Sequence, residues 1–126
     1  MANSPAAGRN KDLADGYDEV FRDYAKLQRT YGSKDIRLKV RTGGGDTSGK
    51  YDPASKTITV SKDRLREDVK RTGGSETGAA KKVVRHELAH SLAEKRKPGS
   101  TLDPNDTHGP TFERFNRMIS GGRRSR

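Results

Sequence analysis

The sequence predicts a small α+β fold, and three observations carry that expectation. Apolar residues recur at helical spacing between Asp12 and Leu27, apolar and charged residues alternate in DIRLKVR, and HELAH lies in a second helical stretch that must end before Pro98. The 126 residues contain no internal repeat and suit one domain with a modest core.

Residues 1–11 are small, polar and Pro-containing, and read as a disordered tail. Leu13, Tyr17, Val20, Phe21, Tyr24 and Leu27 then share one face of an N-terminal helix that Gly32 stops. Ile36, Leu38 and Val40 give a strand with one buried face. Tyr51, Ile58 and Val60 continue the pattern around DPAS, so a hairpin is expected within a small antiparallel sheet. Ser61 is placed to cap a short helix carrying Leu65 and Val69, closed by Gly73 and Gly74. The next helix begins near Thr77 or Gly78 and stops by about Lys97, because Pro98 disfavours a helical residue before it. Gly109 and Pro110 open a C-terminal helix with Phe112, Phe115, Met118 and Ile119 on its apolar face and Glu113 near the positive end of its dipole. The domain is expected to span 12–121, followed by a basic, disordered tail at 122–126.

Composition narrows the chemistry. Hydrophobic residues make up 28% of the chain, which leaves a thin core. A net charge of +10 favours polyanionic partners such as DNA, with solubility as the plainer use of the same charge. Cysteine is absent, so disulfides, thiol nucleophiles and cysteine zinc ribbons are excluded, and any metal must be held by histidine and carboxylate. The N-terminus holds no apolar run of signal-peptide type and no stretch approaches a membrane span, so a cytoplasmic location is expected.

GGDTSGKY matches seven positions of a phosphate-binding loop, Gly44 to Lys50, and follows a predicted strand. Its eighth position is Tyr51 where a magnesium-binding hydroxyl is required, and strand and turn follow where a helix is needed. The segment reads as a flexible loop.

His86 and His90 are four residues apart, so on a helix they lie about 40° apart on one face and both imidazoles can reach one ion. Ala80, Val84, Leu88 and Leu92 fall on the opposite side, toward a core. Catalytic zinc takes three protein ligands and leaves a fourth position open. The pattern that would place the third histidine at position 96 fails, since Ala93 and Arg96 stand where Gly and His are required. Two candidates remain beside the last helix, Glu113 and His108. Glu113 already has a role as a first-turn charge, whereas Gly109 and Pro110 hold His108 at a helix start, so His108 is preferred.

HELAH followed by HGPTF resembles the SprT-like, or Spartan, family of zinc metalloproteases, in which HExxH precedes a histidine in an HGxxF motif. The likeness covers roughly residues 12–120, weakly in the upstream helix, strand and hairpin. It implies a zincin-like core, one Zn2+ per chain on His86, His90 and His108, Glu87 as the catalytic base, and hydrolysis of a peptide bond in a protein substrate. Family members of the Spartan type act on proteins trapped on DNA, which implies DNA as a partner. The zinc ribbon that many of them carry needs cysteine, so DNA contact would fall to surface Lys and Arg, including Arg123, Arg124 and Arg126. Two other readings stand beside this one. A protease can use its charge for solubility alone. A basic nucleic-acid-binding protein can have no metal, or a closed structural site completed by Asp103 or Asp106.

Overall fold

The computed structural model describes residues 17–43, 47–100 and 107–119. Within them the architecture is α+β: helix α1 (Asp18–Tyr31), strands β1 (Arg37–Arg41), β2 (Gly49–Asp52) and β3 (Thr57–Ser61), then helices α2 (Lys62–Thr72), α3 (Glu76–Arg96) and α4 (Pro110–Ile119). The expected tails at 1–11 and 122–126, and with them Arg123, Arg124 and Arg126, lie outside the described residues.

Val20 and Tyr24 of α1 are buried, and the helix stops where Gly32 adopts a left-handed φ of 64° and its N–H returns to the Gln28 carbonyl. The Tyr24 hydroxyl donates to the Ile36 carbonyl at 2.7 Å, which ties α1 to the start of β1.

The sheet is mixed rather than antiparallel. Strand order is β1-β3-β2, with β1 parallel to β3 and β2 antiparallel to it. The hairpin around DPAS is present as β2–β3, but β3 rather than β2 takes the centre. The reason lies in the side chains. Ile58 and Val60 of β3 are fully buried β-branched residues suited to a central strand, whereas Gly49 and Asp52 of β2 and the three cations of β1 suit edges.

Ser61 precedes α2 as expected, yet its side chain makes no cap hydrogen bond. It is still part of β3, and its N–H pairs with the Ser48 carbonyl at 2.9 Å. Helix α3 begins slightly earlier than expected, because Ser75 caps it by accepting from the Gly78 N–H at 3.0 Å. Ala80, Val84, Leu88 and Leu92 face the core, but burial also extends without a break from Glu87 to Ala93. That half of α3 is central to the fold, covered by the sheet on one side and by α1 and α4 on others. No helix among the described residues is long and apolar enough to cross a membrane.

Candidate metal centre

Helix α3 supplies His86, Glu87 and His90 from the turns it buries, and His108 stands just before α4, where Gly109 and Pro110 turn the chain into the helix. The docking of α4 on α3 brings the three imidazoles together. One ring nitrogen from each lies within 4.8 Å of the others, close enough to bind one metal ion. Ring centroids are 4.9 Å apart for His86–His90 and His90–His108 and 5.5 Å for His86–His108. Glu113 is exposed and stays outside this cluster, although its charge reaches His86.

The donor set suits a metal. Metal binding requires neutral imidazole, and the surroundings favour that form. Burial, then the neighbouring His86 and His108, depress His90 to about 4. His86 is lowered by burial first and His108 second, against an opposing pull from Glu113. The three nitrogens converge to within 4.8 Å of one another, as a site for a single ion requires. Three convergent nitrogen donors without thiolate match the type of set that zinc accepts and that harder ions such as calcium and magnesium do not.

No protein-family model, no curated protein and no solved structure matches this chain.

Phe112 organises the cluster. It is buried four residues after His108, stacks on His90 at 4.3 Å and 25°, and meets His86 and His108 edge-on at 4.9 Å each. An apolar ring touching all three imidazoles limits their rotation and keeps water from that side. Phe112 is the aromatic residue of HGPTF as well as part of the apolar face of α4, and its spacing of four from His108 is what brings the two rings together.

Glu87 points into a cleft of about 370 Å3 whose lining includes Gly49, Lys82, Val83 and His86. Burial raises its carboxyl from 4.5 to about 7, and the Tyr51 backbone N–H, donating to it, offsets part of that rise. Thus Tyr51 meets the site through its main chain, while its ring is buried in the core. Gly49 makes this approach of β2 to α3 sterically feasible. A Cβ there would stand 2.2 Å from Val83 Cγ1 and 3.5 Å from Glu87 Cγ. No local pattern marks this contact, because it joins residues far apart in the chain.

Proposed function

We propose that the chain is a zinc-dependent endopeptidase of the SprT-like type, with His86, His90 and His108 as zinc ligands and Glu87 as general base. The observation that carries this reading is the convergence of three imidazoles, with His86 and His90 pushed toward the neutral form by burial, beside a buried carboxyl that opens on a cleft. When bound, zinc supplies Lewis-acid polarisation of a carbonyl and lowers the pKa of water at the site toward about 7.

The protein's own groups do the rest. Glu87, next to the metal ligands and facing the cleft, takes a proton from the attacking water and passes it to the leaving amine. The Tyr51 N–H favours the ionised carboxylate, the form that accepts the proton. Edge strand β2 lines the cleft through Gly49, so an extended polypeptide can lie along it by main-chain pairing, which makes few demands on sequence. Phe112 keeps the imidazoles in register behind the reacting face.

The test is metal content by mass spectrometry together with casein cleavage. Wild type is expected to retain about one zinc per chain, His108→Ala to lose it, and Glu87→Gln to retain it while losing turnover by at least about a hundredfold. Wild type without zinc after purification in zinc, or Glu87→Gln cleaving at the wild-type rate, would refute the assignment.

A further inference from the structure

We propose that the outer face of the sheet, opposite α3, is a binding surface for the phosphodiester backbone of nucleic acid. Strand alternation sends Leu38, Val40, Ile58 and Val60 inward and leaves Arg37, Lys39 and Arg41 of β1 and Lys50 of β2 outward. The register sets Lys39, Thr59 and Lys50 in one row across all three strands, with Arg37 beside Thr57 and Arg41 beside Ser61 in the flanking rows. Cations two residues apart along β1 are spaced by roughly 6.6 Å. The face forms a groove of about 620 Å3.

These cations share one face and are not engaged by carboxylates there. Arg64, Arg66, Lys81 and Arg85 on the helices each pair with a carboxylate. Among the described residues Arg37, Lys39, Arg41 and Lys50 form no ion pair. The one acid lining the groove, Asp52, is turned to its own hairpin, where its carboxylate accepts from the Ala54 N–H at 3.1 Å and the Ser55 hydroxyl at 2.9 Å.

The rest of the lining selects the partner. Leu38, whose side chain turns inward, is the single apolar residue of the lining and none is aromatic, so the groove has nothing to insert into a bilayer, no pocket for a peptide's apolar anchor and no platform for stacking bases. What it offers is a grid of point charges and forked guanidiniums interleaved with hydroxyls. That set recognises a repeating anionic backbone irrespective of sequence. Thr47 lines both this groove and the cleft beside Glu87, so a bound strand runs up to the mouth of the metal centre. The binding surface does not depend on the peptidase reading.

The experiment is fluorescence anisotropy with labelled DNA, single-stranded and duplex, between about 50 and 200 mM salt. Lys39→Gln with Lys50→Gln is expected to weaken binding about tenfold and to lower the slope of log affinity against log salt by about 2. The charge-keeping pair Lys39→Arg with Lys50→Arg is expected to bind as wild type does, which separates charge from folding. Lys26→Gln with Arg29→Gln removes the same charge from the exposed face of α1, outside the groove, and is expected to stay within about twofold of wild type. Equal weakening by the two glutamine pairs would overturn the proposal, as would wild type binding polyglutamate or anionic vesicles but neither form of DNA. Zinc content and casein cleavage are separate readouts, so either reading can fail without the other.

Discussion

Glu87 is an acid kept where acids are costly. Its folded pKa of about 7 lies above the ordinary 4.5, so the folded state holds its proton more tightly than the unfolded chain does. The sign follows: this group costs nothing well below pH 4.5, and metal-free protein loses stability as pH rises from there through about 7. Glutamine does not titrate. Glu87→Gln in chelator is therefore expected to gain little over wild type near pH 4.5 and up to about 3 kcal/mol above pH 7, read as the difference in unfolding midpoints. A constant difference across that range would show that the carboxyl is not desolvated. At this scale the sequence was informative where chemistry follows local spacing: His86, Glu87 and His90 sit within a turn and a half of one helix, and HGPTF pairs His108 with Phe112 one turn on. It was silent on the Tyr51 N–H, which reaches Glu87 only because β2 packs on α3.

Among elements, the decisive contact is β2 against α3. Gly49 is needed there for space, since any Cβ collides with Val83, and its backbone otherwise makes no special demand. Gly49→Ala is expected to push β2 away from Glu87, to cost about 1–3 kcal/mol in urea unfolding, and to lower casein cleavage more than zinc content. Unchanged stability and cleavage would mean that β2 does not position Glu87. The elements themselves were largely legible, because periodicity, Gly32, Pro98 and Pro110 mark helices and their limits through local rules. Strand order was not. Three short strands with similar alternation are compatible with a meander or with β3 at the centre, and the choice depends on which strand can be buried on both edges and one face, a property of the assembled sheet.

At the scale of the whole molecule, one residue next to the site ties helices together beside the apolar core. Arg85 donates to Asp23 of α1 at 2.8 and 3.2 Å and to the Ile119 carbonyl at the end of α4 at 3.2 Å, so a single guanidinium joins three helices. Its replacement by glutamine is expected to cost about 2 kcal/mol, since bonds to a charged group and a helix-terminal carbonyl are lost together. Because α4 carries Phe112 and follows His108, zinc affinity is expected to fall in the same variant, measured by competition with a chelator. Loss of stability with zinc affinity unchanged would show that α4 docks independently of Arg85. The sequence told of net charge at this scale but not of its layout: which cations are consumed by helix pairing and which stay unpaired on the sheet depends on tertiary neighbours.

The three imidazoles come from one helix and from the turn that precedes another, and the two parts are made at different times. A ribosome delivers α3, with His86 and His90, before it delivers His108 and α4. The nascent chain thus carries an incomplete donor set until His108 and α4 have been made. Whatever chemistry the cage supports is withheld until α4 has docked, a safeguard written into the order of translation.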